Sequence, residues 1–181
     1  MKYIKTEIPE VIEFIPEIFE DERGFFLESF NKEYFDKIIG SEVSFVQDNH
    51  SFSKKNVLRG IHYQINPMAQ GKLVRVIDGE IYDIAVDLRK SSPSFGKWVG
   101  RNLSSSKNNQ LWIPAGFGHG FITISESVHL LYKTTNYFDR QCEASIIWDD
   151  EDLNIDWGHS NPILSSKDSI ASSFKNAVTF D

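Results

Sequence analysis

Two histidines lie in segments whose composition could place an imidazole at a reaction site. His62 lies within residues 59–64, which read as a strand. The two-residue side-chain period of a strand puts His62 and Gln64 on one face, where Gly60 leaves room. His119 follows a turn rich in proline and glycine. Imidazoles can transfer protons or bind metals, but a strand histidine is often a core or surface residue, and His119 could instead stabilise its turn by a hydrogen bond.

The segment that contains His119 also bears on metal binding. Residues 114–119 resemble the second motif of cupins, in which such a turn brings a histidine to the mouth of a barrel. Metal-binding cupins add two histidines separated by one residue, and a carboxylate, from their first motif. Here the matching stretch is His62-Tyr63-Gln64, and an amide is a poor ligand for zinc, iron or copper. The sequence therefore predicts a site without a metal.

Short strands must position these residues. Residues 72–77 and 80–88 are apolar-rich, and the intervening Asp78-Gly79 is typical of a hairpin. Further strands are predicted at residues 111–114, 120–125, 129–137 and 144–148. This spacing favours a mainly β protein, a jelly roll or β-barrel, which can enclose one small ligand. The two-residue period could also turn Lys72 inward together with Val74.

The two ends of the chain add further strands and a few short helices. Residues 11–19 could form a strand that Pro16 keeps at an edge or a bend, and residues 25–30 predict a second strand. An apolar stripe between Asn31, a plausible N-cap, and Gly40, a plausible C-cap, predicts a helix. Residues after 165 also favour helix. The chain shows no linker or repeat, so residues 1–181 are predicted to form a single domain.

Composition excludes several classes of protein. A net charge of -7 argues against non-specific nucleic-acid binding but leaves room for a nucleotide ligand held by a few cations. The single cysteine, Cys142, rules out an intrachain disulfide and fits a reducing compartment. No segment is typical of a signal peptide or a membrane helix. We therefore expect a cytoplasmic protein without a membrane partner.

Seven segments resemble the signature stretches of dTDP-4-dehydrorhamnose 3,5-epimerases, in the order of that family. They are residues 21–28, 47–49, 58–64, 71–74, 114–121, 132–138 and 164–168. The resemblance implies a cupin fold and an enzyme without a cofactor. It also implies inversion of C3 and C5 of dTDP-4-dehydro-6-deoxy-D-glucose through an enolate, in dTDP-L-rhamnose biosynthesis.

The resemblance assigns four catalytic roles. His62 matches the base, and Asp168 matches the carboxylate that orients it. Lys72 matches the cation beside the enolate oxygen, and Tyr132 matches the acid on the opposite face. Each also has a plainer interpretation. Asp168 could belong to a helix start with Ser165, Lys72 could face solvent, and Tyr132 could be a core residue.

The resemblance also assigns substrate contacts. Arg23 and Arg59 match diphosphate ligands, and Phe138 matches an aromatic residue that stacks on thymine. In the family the N-terminal segment crosses to the partner in a homodimer, so Arg23, Phe26 and Glu28 are expected to serve the neighbouring site. Further polar contacts are expected from Gln47, Asn49, His119, Glu143 and Lys167. A solvated position is the alternative for Glu143 and Lys167.

Three other functions remain open. A related epimerase could act at one carbon only or on a GDP-sugar, although residues 25–28 favour thymidine. A non-catalytic sugar-binding cupin would not need the four catalytic matches together. A metal-dependent dioxygenase would need the missing ligands.

Overall fold

Strands make up most of the regular secondary structure in a computed structural model, which describes residues 1–181. The strands are β1 (Lys2–Lys5), β2 (Ile12–Ile15), β3 (Ile18–Asp21), β4 (Gly24–Leu27), β5 (Gln47–Lys54), β6 (Leu58–Gln64), β7 (Lys72–Asp78), β8 (Glu80–Asp87), β9 (Trp98–Ser104), β10 (Gln110–Ile113), β11 (Phe117–Thr123), β12 (Ser127–Thr134) and β13 (Glu143–Ser145). One α-helix, α1 (Lys32–Ile39), and two 3₁₀ helices at Asp168–Ile170 and Phe174–Asn176 complete it.

Two antiparallel sheets face each other. One has six strands in the order β1-β2-β10-β7-β12-β5, and the other has five in the order β13-β6-β11-β8-β9. The pair β3-β4 forms a separate two-stranded hairpin, and we call residues 18–28 the arm. The sheets stack as an open sandwich without closing into a barrel. The prediction of a mainly β jelly roll is therefore confirmed.

The main core lies between the two sheets. Val74 and Leu130 of the six-stranded sheet belong to one buried cluster with Ala85, Phe117 and Phe121 of the five-stranded sheet. Fully burying an aliphatic or aromatic side chain of this kind contributes about 1.5–3 kcal/mol relative to exposure. The two walls that carry the polar site residues are therefore held together by a continuous apolar layer.

The C-terminal segment covers the outer face of the five-stranded sheet. Ile84 and Ile122 of that sheet are buried in a cluster that includes Trp157, and Phe174 and Phe180 pack against it. A parallel bridge between residues 146 and 172 ties the segment to the sheet. This packing brings Asp168, at the start of a 3₁₀ helix, next to β6.

Helix α1 follows the predicted cap signals. The Asn31 side chain accepts a hydrogen bond from the Tyr34 N–H, and Gly40 ends the helix in the left-handed region at φ 78°. The helix buries Phe35 against Trp112, with ring centroids 5.2 Å apart. The predicted helix and both of its caps are confirmed.

The predicted hairpin at Asp78-Gly79 is wrong. Both strands exist, but β7 pairs with β10 and β12 whereas β8 pairs with β9 and β11 in the other sheet. Gly79, at φ 89°, carries the chain between layers so tightly that a Cβ would lie 2.2 Å from the Ser127 carbonyl oxygen. The dipeptide specified a turn, but the choice of strand partner depended on the rest of the sandwich.

Other predicted elements differ in extent. The expected strand at residues 11–19 is interrupted at Pro16 into β2, in the large sheet, and β3, in the arm. The expected strand at residues 25–30 is the shorter β4. The C-terminal end contains only two single-turn 3₁₀ helices. No helix is both long enough and apolar enough to cross a membrane.

Candidate active site

A cavity of about 370 Å³ opens between the two sheets. The predicted site residues that line it are Gln47, Asn49, Arg59, His62, Lys72, His119, Tyr132, Phe138 and Glu143. Three polar lining residues, Ser51, Gln64 and Gln70, were not predicted as site residues. The structure thus brings residues from distant parts of the sequence to one space of small-molecule size.

His62 and Asp168 form a close pair at the cavity wall. His62 Nε2 lies 2.5 Å from Asp168 Oδ1, and the Asp168 side chain is only 3% exposed. The Ser165 hydroxyl donates to Asp168 Oδ2, and the Asp168 N–H donates back to Ser165 Oγ. The helix that follows is only a single 3₁₀ turn that begins at Asp168 and has no side-chain cap. Burial alone would raise the pKa of Asp168, but the hydrogen bond and charge of His62 lower it below its usual value.

Lys72 points into the cavity from β7. The residue is 9% exposed, and its Nζ donates to the His62 carbonyl oxygen at 3.3 Å. Burial lowers the pKa of Lys72 to about 8, against the opposing charges of Asp83 and Glu143. The solvent-facing alternative for this lysine is therefore wrong, and its inward orientation with Val74 follows the predicted period.

Tyr132 lies on the wall opposite His62. It belongs to β12 of the six-stranded sheet, whereas His62 belongs to β6 of the five-stranded sheet. Burial raises the pKa of the Tyr132 phenol, partly offset by Arg59. A ligand between the sheets would therefore meet an imidazole on one side and a protonated phenol on the other.

A second histidine–carboxylate pair is more deeply buried than the first, and only its histidine lines the cavity. His119 Nε2 lies 2.6 Å from Oδ1 of Asp83, whose side chain is fully buried. Burial lowers the pKa of His119, although Asp83 acts in the opposite direction. Sequence reasoning missed Asp83. The available signal was a carboxylate in the middle of the apolar run of β8, between Glu80 and Asp87 at its ends, since an unpaired charge is rarely buried.

Gly60 has a different role from the predicted one. The register between β6 and β11 shifts at this point, and Gly60 has φ 136°. A Cβ on Gly60 would lie 2.5 Å from the Gly120 Cα, so the glycine permits a close backbone approach. As a result Arg59 and His62 line the cavity together, although strict alternation would have separated them.

The side-chain amide of Gln64 is hydrogen-bonded to the protein backbone. Its Nε2 donates to the carbonyl oxygens of Met68 and Tyr137, and its Oε1 accepts from the Asp139 N–H at 2.7 Å. The amide thereby holds two loops at the cavity mouth. No three His, Cys, Asp or Glu residues lie close enough together to hold a metal ion.

The remaining predicted site residues outside the arm lie at the cavity or next to a residue that lines it. Arg59 Nε donates to Ser53 Oγ at 2.9 Å, which holds the guanidinium against β5. Lys167 does not itself line the cavity, but it forms an ion pair with Glu143, which does, so neither side chain is simply solvated. Phe138 is 54% exposed and presents an open aromatic face.

The arm residues do not reach this cavity. Arg23 pairs only with the neighbouring Asp21, and its side chain is 86% exposed. Phe26 is 69% exposed, and Glu28 follows β4. None of the three arm residues that were predicted as substrate contacts therefore lines the cavity of its own chain.

The fold and the cavity together define a cupin-like jelly-roll enzyme that transfers protons to and from an enclosed small molecule. The chain belongs to the dTDP-4-dehydrorhamnose 3,5-epimerase family, whose model matches residues 5–176.

Individual relatives agree with this assignment. The dTDP-4-dehydrorhamnose 3,5-epimerase of Shigella flexneri is 55% identical over 180 residues, 99% of each chain. A solved dTDP-6-deoxy-D-glucose-3,5-epimerase of Legionella pneumophila, in complex with dTDP-4-keto-L-rhamnose, is 45% identical with a TM-score of 0.93, over 97% of this chain and 93% of that one. A dTDP-4-dehydrorhamnose 3-epimerase of Streptomyces niveus is 36% identical over 87% of this chain and 76% of the relative.

Proposed function

We propose that this chain is a dTDP-4-dehydrorhamnose 3,5-epimerase that inverts C3 and C5 of dTDP-4-dehydro-6-deoxy-D-glucose in dTDP-L-rhamnose biosynthesis. The observation that carries the proposal is the placement of His62 and Tyr132 on opposite walls of one cavity. The C4 ketone of such a substrate acidifies the hydrogens on C3 and C5. Inversion then needs a base on one face of the sugar and an acid on the other. Residues 1–181 act as one epimerase domain.

Proton removal is the task of His62. The imidazole takes the carbon-bound proton, and the Asp168 carboxylate stabilises the imidazolium that forms. Because Asp168 is buried and fixed by Ser165, it also fixes the ring orientation. Asp168 acts through His62 and does not contact the substrate.

Stabilisation of the enolate is the task of Lys72. Removing the proton places negative charge on the ketone oxygen, and a buried ammonium beside that oxygen lowers the energy of the transition state. The amine lies near the His62 carbonyl, so the cation and the base act on the same end of the sugar.

Reprotonation is the task of Tyr132. Its raised pKa keeps the phenol protonated at neutral pH, so it can donate to the enolate from the six-stranded wall. A proton removed on one face and returned on the other inverts the carbon.

The rest of the cavity binds the nucleotide. The Arg59 guanidinium suits the diphosphate, and the open face of Phe138 at the mouth suits thymine stacking. The other polar contacts come from Gln47, Asn49, His119, Glu143 and Lys167.

The protein acts as a homodimer in which each arm crosses to the partner. The β3-β4 hairpin joins no other strand, and Phe19, Phe25 and Phe26 are all more than half exposed. Strand β5, which lines the cavity, pairs only with β12 and leaves its other edge free. An arm that crosses to the neighbour would bring Arg23, Phe26 and Glu28 to that site. The single free cysteine fits a cytoplasmic location.

The direct test of the reaction is isotope incorporation. The protein is incubated with dTDP-4-dehydro-6-deoxy-D-glucose in deuterated water, and the label is located by NMR. Deuterium at both C3 and C5, with inverted product, is expected. Label at C3 alone would instead assign the reaction named for the Streptomyces niveus relative, and label at C5 alone would assign an epimerase of that other carbon. No label at either carbon would favour a sugar-binding module. Turnover of the corresponding GDP-sugar, but not of the dTDP-sugar, would show that the substrate's nucleotide is GDP.

A further inference from the structure

The cavity-facing side of β5 carries four polar residues, and three of them already have partners. Gln47 Nε2 donates to Asn49 Oδ1 at 2.8 Å. Ser53 Oγ accepts from Arg59 Nε at 2.9 Å. Ser51 lies between these two pairs along the strand, and its buried hydroxyl oxygen has no hydrogen-bond partner. Ser51 is therefore the free polar group on this wall.

The location of this hydroxyl suggests a ligand as its partner. Leaving a buried hydroxyl unpaired costs free energy, so native proteins usually pair such groups with protein, water or ligand. Ser51 lines the cavity and is only partly buried as a residue, so rotation about its Cα–Cβ bond can turn the oxygen toward a bound molecule. Thr123 Oγ1 is equally unpaired but lines no part of this cavity.

The neighbouring cation indicates which part of a ligand reaches Ser51. Arg59 is fixed against β5 by two bonds, from Nε to Ser53 and from Nη2 to the Phe52 carbonyl oxygen at 3.0 Å. Both contacts lie within two residues of Ser51. An anion that binds the remaining N–H groups of Arg59 is therefore held close to β5, the strand that carries Ser51. Charged phosphate oxygens accept hydrogen bonds from several donors at once.

We propose that Ser51 Oγ donates a hydrogen bond to a diphosphate oxygen of the nucleotide-sugar, next to Arg59. This inference rests on the proposed function, because it takes the ligand to be a nucleoside diphosphate. Ser51 is a positioning residue that holds the diphosphate against β5 and contacts no reacting carbon. Its contribution belongs to binding, shared by the ground state and the transition state.

The test compares Ser51→Ala with the wild-type protein. The dissociation constant for dTDP, measured by calorimetry, should rise about tenfold, because one hydrogen bond to a charged oxygen is lost. The KM for the nucleotide-sugar should rise in parallel, and kcat should change less than about twofold. Affinity for thymidine, which has no phosphate and is followed by NMR titration, should not change.

Thr123→Val is the matched control, because it removes the other unpaired hydroxyl without touching the cavity. It should leave dTDP affinity unchanged. The melting temperature of Ser51→Ala should not fall below the wild-type value, because no bond within the protein is lost and an unpaired buried hydroxyl is removed. If Ser51→Ala does not fold, Ser51→Cys keeps the size with a weaker donor and should also bind dTDP more weakly.

Two results would overturn the inference. One is a folded Ser51 variant that binds dTDP within about twofold of the wild type. The other is a lower melting temperature with equal losses of dTDP and thymidine affinity, which would assign Ser51 a structural role. A wild-type protein that binds no dTDP at all would be a different result, because it would contradict the proposed function itself.

Discussion

At the scale of single residues, the surroundings of the cavity shift the pKa values of its titratable groups and so give these groups different charges at neutral pH. Burial lowers the pKa of Lys72 to about 8, so this group is mostly a cation at neutral pH. Burial raises the pKa of Tyr132, which keeps the phenol neutral. Burial would also raise the pKa of Asp168, but the bond from His62 outweighs it and keeps the carboxylate charged. A cation, a neutral acid and a carboxylate-bound imidazole are the groups that inversion beside a ketone needs.

Activity should fall as the pH rises through about 8. A lysine with a lowered pKa is charged below that pKa and neutral above it, so Lys72 loses the charge that stabilises the enolate. Lys72→Arg keeps its charge throughout, and its alkaline limb should move up by about one pH unit or more, whatever its absolute rate. The measurement is kcat/KM between about pH 6 and 10. An alkaline limb that stays in place in Lys72→Arg would show that another group causes it.

Activity should also survive exhaustive chelation. The amide of Gln64 stands where metal-binding cupins have an imidazole, and its hydrogen bonds go to the backbone. His119 Nε2 is held by Asp83. The protein is dialysed against a chelator, its metal content is measured, and turnover is compared before and after. Loss of turnover that one added metal restores would refute the prediction.

At the scale of secondary structure, local signals predicted some elements and not others. Helix α1 was predictable because a side-chain N-cap and a left-handed glycine act within one turn of chain. The passage of the chain from one sheet to the other at Asp78-Gly79 was not predictable. A turn dipeptide does not determine whether the two flanking strands pair with each other or join different sheets. The bulge at Gly60 and the role of Asp83 depend on how neighbouring strands align with β11. Candidate residues and the pairing of His62 with Asp168 were therefore predictable from motifs, whereas the pairing of His119 with Asp83 was not.

Gly60→Ala tests the bulge that places Arg59 and His62 on one wall. An added Cβ would meet Gly120 Cα at 2.5 Å and would sit at φ 136°. Gly40→Ala is the control outside the arm, because Gly40 also has a positive φ, 78°, and nothing lies within 4 Å of an added Cβ. The control should lose only the backbone term, about 1–3 kcal/mol. Gly60→Ala should lose more, with a melting temperature several degrees lower than that of the control. Equal losses of stability would mean that the close approach to Gly120 is unimportant.

At the scale of the whole molecule, each site needs parts from several layers. The five-stranded sheet supplies His62, the six-stranded sheet supplies Tyr132 and Lys72, and the C-terminal segment supplies Asp168. No arm residue lines the cavity of its own chain, and Phe19, Phe25 and Phe26 are each more than half exposed, as expected of a surface that a partner covers. In the proposed dimer, activity is therefore a property of the pair of chains.

Mixing two inactive variants tests the exchange of arms. Arg23→Gln impairs the arm, and His62→Ala removes the base. Each pure variant should therefore have little activity when the substrate concentration is below the wild-type KM. In a mixed dimer, the chain with Arg23→Gln keeps His62 and receives an intact arm from its partner. Random exchange at equal amounts should therefore restore about a quarter of the wild-type sites. Activity that stays at the average of the two variants, with mixed dimers verified by mass spectrometry, would show that each arm serves its own chain.

The central claim is that His62 and Tyr132 act on opposite faces of the sugar, and Tyr132→Phe tests it most directly. Phenylalanine keeps the ring but removes the proton donor, so the enolate can still form beside Lys72, and His62 can return a solvent-derived proton to the original face. In deuterated water, inversion should fall by about 10² to 10⁴ while hydrogen exchange falls much less. His62→Ala should lose both. Equal losses of exchange and inversion in a folded Tyr132→Phe protein would contradict the account.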